Sequence, residues 1–466
     1  MKIELHLDRT AAGNGGIIKP LHGVNNGPIG YGSLVDVSHH YKAAEFPLVR
    51  LHDPNFPHPR EIDIHTIFPD FSRDPEDPAS YDFAKSDYYV RMVADTGARI
   101  LWRLGESIEH TPTKYYVYPP EDYAKWAGIC IGIIRHYNQG WADGFHYGIQ
   151  YWEIWNEPEG GGGLMWNGTE EQYYDLYRVA APIIKAYDPT LKIGGYSAAQ
   201  AKAVPHFFER FLGMCREERL PLDFFSWHSY NDDPELVREL SLYVREGLDR
   251  HGFAETESHF NEWNFFDAQW ETLFLPGNEY YRRDLFERAK NEQGASYAAA
   301  VLAVLQDCPV DEANYYDGQP TALWCGLFDY YGVPTKTYYT FLRFNELRRF
   351  ARRAEAKSES EGIYVCAGVN GVIGGSEDDK ENGREGGEGA VEPAAAAMIS
   401  NYRGQSGFYV IGIRGLPEGE RWIAEEYRTD RERTDRLAAL HELDRTGLLK
   451  LFISRHTVVY LKLRRA

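Results

Sequence analysis

Two glutamates occupy positions from which two carboxyl groups could act on a single carbon atom. Glu157 follows an aromatic-rich apolar run and Asn156, and Glu262 follows a second such run and Asn261. Hydrolysis of a glycosidic bond uses a pair of this kind, because one carboxyl group protonates the departing oxygen while the other attacks or activates water. The alternative for each residue is a solvated loop carboxylate, which is the usual environment of a glutamate.

The two glutamates are far apart in the sequence, so only a closed fold could bring them together. Short apolar runs alternate with helical patterns from about residue 17 to about residue 350, which indicates β/α units around a parallel sheet. The predicted strands are 17–18 with 23–25, 46–52, 98–104, 151–156, 192–195, 223–228, 258–263 and 322–325. The predicted helices are 82–95, 121–137, 170–187, 234–250, 296–306 and 336–352.

This alternation predicts an α/β fold, a (β/α)8 TIM barrel over residues 10–352. The active site of such a barrel lies where the strands end and the βα-loops converge. Glu157 and Glu262 end the fourth and the seventh predicted strands, so we expect them to face each other.

Beyond the barrel the pattern changes to strands. Residues 353–466, together with 1–9, are predicted to form a C-terminal β-sandwich accessory domain. Its expected strands are 362–369, 395–402, 407–414 and 451–463. The stretch 374–389 is rich in Gly, Glu and Asp and is predicted to be an exposed loop.

The composition limits the class of partner. Hydrophobic residues make up 43% and charged residues 26% of the chain, which is typical of a globular protein. The formal net charge of -20 opposes binding to nucleic acid or to an anionic membrane surface and favours a neutral or cationic small molecule. Aromatic residues reach 14%, which is compatible with a large core and equally with a sugar-binding cleft.

The five cysteines show no CxxC or Cys/His ligand spacing, so we expect no disulfide framework, no metal site and no cofactor. The first residues lack a hydrophobic secretory core, and no apolar run is long enough to cross a bilayer. The expected location is therefore the cytoplasm, unless a signal peptide has been removed. The sequence leaves the oligomeric state open, a homo-oligomer included.

The chain resembles the clan A glycoside hydrolases in the Asn156-Glu157-Pro158 motif after the fourth strand combined with a glutamate after the seventh. It resembles glycoside hydrolase family 39 more closely, which contains β-xylosidases and α-L-iduronidases. The stretches that carry this resemblance are 22–25, 49–52, 151–158, 171–195, 227–230 and 261–263.

The resemblance implies a retaining, double-displacement mechanism in which Glu157 is the acid/base and Glu262 the nucleophile. It also implies that Asn156 binds the 2-hydroxyl group of the sugar. His52 and His228 would then line the glycone subsite, and Tyr230 would orient the nucleophile. From the residue types alone, His228 and Tyr230 are equally plausible as hydrogen-bonded core residues.

The sequence departs from the family after the predicted eighth strand. Xylosidases of this family carry acidic residues there that hold the xylose hydroxyls, whereas here Trp324 is followed by Asp329 as the only nearby acid. Trp324 and Asp329 are therefore the candidate substrate-binding residues of this run. The absence of the acidic pair puts β-xylosidase specificity in doubt.

A uronide substrate would need a cation near its carboxylate, typically a lysine after the sixth strand. Here His228 is followed by Ser-Tyr-Asn, which argues against a uronide, although Arg50 or Arg103 could replace the lysine. Glu106, after the third strand, is expected either to bind sugar hydroxyls or to form an ion pair with Arg103.

The sequence thus predicts a retaining, β-xylosidase-like O-glycosidase that cleaves glycosidic bonds of plant-type oligosaccharides. The alternatives are another exo- or endo-glycosidase or a transglycosylase of the same clan, of arabinosidase, glucosidase or iduronidase type. A non-catalytic carbohydrate-binding barrel is the third hypothesis, and the presence of both glutamates disfavours it because a binding protein has no need of the pair.

Overall fold

The structure is a computed structural model of the chain. It describes residues 1–30, 32, 34–55, 60–320, 325–370, 394–417 and 419–466. The strands of these residues are β1 Lys2–Thr10, β2 Gly23–Asn25, β3 Ile29–Gly30, β4 Val35–Asp36, β5 Leu48–Leu51, β6 Arg99–Leu104, β7 Tyr151–Ile154, β8 Lys192–Ala198, β9 Phe224–Asn231, β10 Glu257–Phe265, β11 Glu312–Tyr315, β12 Arg352–Ser358, β13 Ile363–Val369, β14 Ala395–Asn401, β15 Gly407–Arg414, β16 Trp422–Thr429, β17 Arg436–Leu443, β18 Leu448–Ile453 and β19 Thr457–Arg465. The α-helices are α1 Ser38–Ala44, α2 Ile64–Ile67, α3 Ala84–Ala94, α4 Tyr123–Gln139, α5 Glu170–Tyr187, α6 Pro205–Glu217, α7 Pro234–Arg250, α8 Trp270–Leu273, α9 Glu279–Lys290, α10 Glu292–Leu305 and α11 Lys336–Arg348.

Eight parallel strands close into a barrel, which confirms the predicted fold class. Around the barrel the strand order is β2-β5-β6-β7-β8-β9-β10-β11, with β11 pairing back to β2. Helices occur in the connections between successive strands, as expected for β/α units. Gly23 lies where β2 passes between its neighbours, and a Cβ there would be 2.8 Å from the carbonyl oxygens of Leu48 and Ala313.

The eighth strand is not the segment that the sequence predicted. The strand that closes the barrel is β11, whereas the prediction placed it at 322–325. Residues 322–324 lie outside the described residues, and Cys325 lies in a turn. The prediction was wrong because β11 has the sequence Glu-Ala-Asn-Tyr, which alternates polar and apolar residues too briefly to look like a buried barrel strand.

The remaining barrel strands and helices lie close to their predicted positions. Helix α5 has the predicted bounds, and its first turn shows why. The Thr169 side chain accepts a hydrogen bond from the Gln172 amide, and the Gln172 side chain accepts one from the Thr169 amide, which forms a capping box. The helix ends at Tyr187, before Asp188-Pro189.

The other strands form a separate, mostly-strand sheet of nine strands in the order β17-β16-β19-β14-β13-β12-β1-β15-β18. The N-terminal strand β1 pairs antiparallel with β12 and parallel with β15. One hydrophobic core collects residues from strands at both ends of this order, and the edge strands β17 and β18 contact each other. The sheet therefore curves back on itself around that core.

Three strands of this sheet were not predicted: β12, β16 and β17. The predicted strand 451–463 is two strands, β18 and β19, separated by a turn at Ser454–His456. The predicted loop 374–389 lies outside the described residues.

Contacts divide the chain into two compact units. One comprises residues 21–264 and 308–333 and contains the barrel strands up to Asn264 together with β11. The other comprises residues 1–20, 265–307 and 334–466 and contains the nine-stranded sheet. The predicted domain boundary after residue 352 stays a prediction. Among the described residues, no helix combines the length and the apolar character needed to cross a membrane.

Candidate active site

Glu157 is held at the end of β7 by an unusual backbone. Its φ of 46° and the φ of 69° at Trp155 lie in the left-handed region, which costs a non-glycine residue free energy. Two backbone hydrogen bonds fix these conformations. The Trp155 amide donates to the Leu104 carbonyl at 2.8 Å, and the Glu157 amide donates to the Ser197 carbonyl at 3.1 Å. The neighbouring strands β6 and β8 therefore fix the position of the Glu157 backbone.

Glu262 lies within β10, and both of its carboxylate oxygens accept a hydrogen bond. Oε1 accepts from Arg50 Nη1 at 2.6 Å, and Oε2 accepts from the Tyr230 hydroxyl at 2.6 Å. Burial raises the pKa of Tyr230 well above its usual range, and the negative charge of Glu262 raises it further. The tyrosine thus keeps its proton and remains a donor to the carboxylate.

Arg50, in β5, connects the carboxylates of the barrel interior. Its guanidinium is fully buried and donates from Nε to Glu153 at 2.8 Å as well as from Nη1 to Glu262. The further acceptors are Asn25 Oδ1 at 3.1 Å, Asn156 Oδ1 at 2.6 Å and Ser197 Oγ at 2.9 Å. Burial alone would lower the pKa of Arg50, but the charges of Glu153 and Glu262 outweigh burial and raise it.

The structure brings the two predicted catalytic glutamates together. His228 Nδ1 lies 2.7 Å from Glu157 Oε1 and 3.6 Å from Glu262 Oε2. One oxygen of each carboxylate and one nitrogen of the histidine lie within 4.8 Å of one another. An inverting glycosidase separates its carboxyl groups by roughly 6.5–9.5 Å to admit a water, whereas a retaining one keeps them about 5–5.5 Å apart. The observed separation fits the shorter arrangement.

The environments of the two glutamates differ in charge. Burial raises the pKa of Glu157 to about 7, although the positive charge of Arg50 opposes this rise. Glu262 receives a charge-assisted hydrogen bond from Arg50 on one oxygen and a neutral one from Tyr230 on the other. The site can therefore present a protonated Glu157 a short distance from a carboxyl group that accepts from a buried cation.

The structure also places the predicted sugar-binding residues Asn156, His52 and Tyr230 around this pair. Asn156 Oδ1 accepts from Arg50 and Ser197, so its amide group can offer a substrate only N–H donors. His52 Nδ1 accepts from Arg103 Nε at 3.2 Å. Burial and the nearby arginines hold the pKa of His52 well below its usual range, so the neutral ring carries its proton on Nε2.

Glu106 is paired with a residue that the sequence did not suggest. Its carboxylate accepts from the His65 amide at 3.2 Å and contacts His65 Nδ1 at hydrogen-bond distance. Arg103 donates instead to Asp63, at 2.9 Å. His65 also stacks on Tyr116, with ring centroids 3.4 Å apart. The expected alternatives for Glu106 were a sugar contact or an Arg103 ion pair, and its closest bonded partner is His65.

Two candidate substrate-binding residues, Trp324 and Asp329, were predicted near the incorrectly assigned eighth strand, and the structure describes only the second. Asp329 Oδ1 accepts from the amides of Tyr331 and Val333, both at 2.8 Å, and so closes a local turn. Trp324 lies outside the described residues.

Two buried aspartates near the pair were not predicted from the sequence. Asp317 follows the true eighth strand, β11, and Asp53 follows His52 at the end of β5. Burial raises the pKa of each to about 7. Asp317 accepts from Asn26 Nδ2 at 3.1 Å, and Asp53 Oδ2 lies 3.4 Å from His52 Nε2. A correct position for the eighth strand would have identified Asp317 as a strand-end acid.

Two groups of side chains bring together three atoms that could bind a metal ion: Asp63, His65 and Glu106, and Glu157, His228 and Glu262. Protein donors already engage both groups. Arg103 and Ser107 donate to Asp63, and Arg50 and Tyr230 donate to Glu262. Donors of the protein therefore already occupy oxygens of Asp63 and Glu262.

Comparison with known proteins finds relatives among the glycoside hydrolases. The model of the family "Glycosyl hydrolases family 39" matches residues 57–247, which include Glu157 and His228. A β-xylosidase from Geobacillus stearothermophilus is 27% identical over 268 residues, which cover 50% of this chain and 48% of that protein. A β-xylosidase from Caldicellulosiruptor saccharolyticus is 31% identical over 279 residues, 54% of this chain and 52% of that one. The chain spans about half the length of these curated relatives.

Solved structures resemble the whole chain in fold. A glucosidase from Croceicoccus marinus has a TM-score of 0.79 and 24% identity, with 100% of this chain and 99% of that chain covered. A monomeric β-xylosidase from Caulobacter crescentus has a TM-score of 0.69 and 17% identity, with 99% of each chain covered.

The closed barrel, with one glutamate after its fourth strand and another within its seventh, resembles the clan A glycoside hydrolases in fold. In sequence, the chain is similar to glycoside hydrolase family 39 over residues 57–247 and to two β-xylosidases over about half of its length.

Proposed function

We propose that the chain is a retaining glycoside hydrolase that acts on β-xylosides, with Glu157 as the acid/base and Glu262 as the nucleophile. The observation that carries this proposal is that one oxygen of each carboxylate lies within 4.8 Å of the other, combined with the different environments of the two groups. The family and its β-xylosidase relatives support the same activity.

In the first step, a carboxylate oxygen of Glu262 attacks the anomeric carbon while the bond to the departing oxygen breaks. Glu157 supplies the proton that this oxygen needs, so the leaving group departs as an alcohol. In the second step, water attacks the same carbon and gives its proton to Glu157, and the bond to Glu262 breaks. Two inversions leave the configuration of the sugar unchanged.

The residues around Glu157 and Glu262 indicate which class of sugar the site could bind. The two arginines that could have served a uronide, Arg50 and Arg103, are fully buried and donate to protein carboxylates, Arg50 to Glu153 and Glu262 and Arg103 to Asp63. This arrangement disfavours a uronide. Asp317, after the eighth strand, is our candidate for an acid that holds a sugar hydroxyl group, and its oxygens already accept hydrogen bonds from Asn26 and Gln319.

The proposed substrate is a plant-type oligosaccharide or a small glycoside. The likeness to a glucosidase structure makes a β-glucoside the competing substrate to include in any test. The cytoplasmic location and a homo-oligomeric state stay predictions.

The proposal is tested with a panel of aryl glycosides that contains β-xylosides, α-arabinosides, β-glucosides and α-iduronides. We expect the highest kcat/KM on the β-xyloside, and we expect proton NMR to detect the β-anomer as the first product. The variants Glu157→Gln and Glu262→Gln control for a contaminating glycosidase. A first product of inverted configuration, or no hydrolysis of any glycoside, would contradict the proposal.

A further inference from the structure

A chain of short polar contacts links Arg50 to Glu157 through Ser197 and His228. Arg50 Nη2 lies 2.9 Å from Ser197 Oγ, and Ser197 Oγ lies 2.8 Å from His228 Nε2. His228 Nδ1 lies 2.7 Å from Glu157 Oε1. Ser197 and His228 are both buried, so these contacts are made away from bulk water. The direction of each hydrogen bond follows from the chemistry of the groups.

The direction at Ser197 is set by Arg50 and Asn156. A guanidinium only donates, so Asn156 Oδ1 and Ser197 Oγ both act as acceptors towards Arg50 Nη2. Ser197 Oγ and Asn156 Oδ1 also lie 2.8 Å apart. An amide oxygen has no proton, and therefore the single hydroxyl proton of Ser197 points to Asn156.

Because that proton is used, Ser197 can only accept from His228 Nε2. A neutral imidazole carries one N–H group, so an Nε2–H donor leaves Nδ1 with a lone pair. Burial lowers the pKa of His228 to about 4, which keeps the ring neutral. A contact of 2.7 Å between this lone pair and Glu157 Oε1 is a hydrogen bond only if Glu157 holds the proton.

We propose that Ser197 is a positioning residue that fixes the tautomer of His228, so that Nδ1 accepts the proton of Glu157 in the resting site. This inference rests on the proposed function, since it assigns Glu157 the role of the acid. An ionised Glu157 would face the lone pair of Nδ1 rather than a donor, which disfavours ionisation before substrate binds. When substrate enters, the glycosidic oxygen replaces Nδ1 as the acceptor of the same proton.

Other groups that face His228 affect whether its ring is charged or neutral. The carboxylates of Glu262 and Glu153 favour a charged ring, and Arg50 disfavours it. His52 also faces the ring, and the Asn261 side chain acts on it as a hydrogen-bonding group. Ser197 differs from them because it bonds to Nε2 and so selects which nitrogen is protonated.

The direct test is the nitrogen NMR spectrum of protein labelled with ¹⁵N-histidine, with the His228 signals assigned by their loss in His228→Asn. At neutral pH we expect a protonated Nε2 and an unprotonated Nδ1 in the wild-type chain. This measurement needs no substrate. An Nδ1–H tautomer in a chain that hydrolyses glycosides would overturn the inference and leave the proposed function intact.

The variant Ser197→Ala removes the hydroxyl group and keeps the backbone carbonyl that binds Glu157. His228 should then convert largely to the Nδ1–H tautomer and donate to an ionised Glu157. The pKa of the basic limb of kcat/KM should fall by about one unit, a tenfold change. The loss of kcat should be about tenfold greater for poor leaving groups than for activated ones.

Ser226→Ala is the matched control, because Ser226 Oγ is equally buried and accepts from the Ser197 amide at 3.0 Å. It should leave both the tautomer and the basic limb unchanged. A wild-type tautomer in Ser197→Ala, or an equal shift in both variants, would contradict the role of the Ser197 hydroxyl.

Discussion

At the scale of single residues, Glu157 and Glu262 carry the same chemical group, and their neighbours set them apart. Glu262 receives Arg50 and Tyr230 as donors, whereas Glu157 lies against His228 in a site that raises its pKa to about 7. A carboxyl group that keeps its proton near neutral pH can act as an acid, and one that is ionised there can act as a nucleophile.

The pH profile of kcat/KM should therefore have a basic limb near pH 7 that belongs to Glu157. In Glu157→Gln this limb should disappear on a substrate with a good leaving group, because such a substrate needs little protonation. On a poor leaving group, kcat/KM should fall by about 10²–10⁴-fold. A basic limb that persists in the variant would show that another group sets it.

Glu157 should also make stability depend on pH. Its pKa is raised in the folded protein from 4.5 to about 7, so its favourable contribution is complete below pH 4.5 and is lost as the pH rises towards 7. The side chain of Glu157→Gln cannot ionise. Above pH 7 the variant should therefore have a free energy of unfolding greater than that of the wild type by roughly 3 kcal/mol at most. Urea unfolding at pH 4.5 and pH 8 measures the difference. An equal effect of the variant at both values would refute the assignment.

At the scale of elements, strands that are rich in large apolar residues could be located from the sequence, and β11 could not. Asn314 in β11 donates to the carbonyls of Val24 and Leu48, so a polar side chain fills a barrel interior position by satisfying backbone oxygens. Hydrophobicity gives no signal for such a strand. Because β11 was missed, Asp317 was missed with it.

The proximity of the two glutamates could be predicted from the sequence, because the strands of a barrel end at one face and their end residues converge there. The side-chain partners could not be predicted, since nothing in the sequence shows which carboxylates Arg50 contacts or that Glu106 pairs with His65. These side-chain pairings depend on how each strand is oriented in the barrel, and a single sequence does not show that orientation.

Arg50 should be the residue on which the barrel interior depends most. Arg50→Met leaves the buried carboxylates of Glu153 and Glu262 without their cation, which should cost about 3–5 kcal/mol of unfolding free energy and abolish activity. Arg210→Met is the control, because its ion pair with Glu171 is exposed and worth at most about 1 kcal/mol. Denaturant unfolding compares the two, and equal effects would contradict the structural role of Arg50.

At the scale of the whole molecule, the first strand of the chain belongs to the nine-stranded sheet, while every described residue of the candidate site belongs to the other unit. Leu5 in β1 is fully buried in the core of that sheet, whereas Arg9 is exposed. Leu5→Ala should cost about 2–5 kcal/mol of stability. Arg9→Ala should have little effect on melting.

Below its melting temperature, Leu5→Ala should retain the wild-type kcat and KM, because it changes no residue of the barrel unit. Thermal melting with parallel kinetics at a low temperature tests this prediction. A large change of KM at a temperature where the variant is folded would contradict it.

The central claim is that Glu157 is the acid/base and Glu262 the nucleophile, and rescue by azide tests these two roles directly. Glu157→Ala should still form the glycosyl-enzyme from a substrate with a good leaving group, and azide should release it as a glycosyl azide of retained configuration. Glu262→Ala should be inactive alone, and azide should give the inverted glycosyl azide. The opposite pair of configurations, read by NMR of the products, would contradict the account.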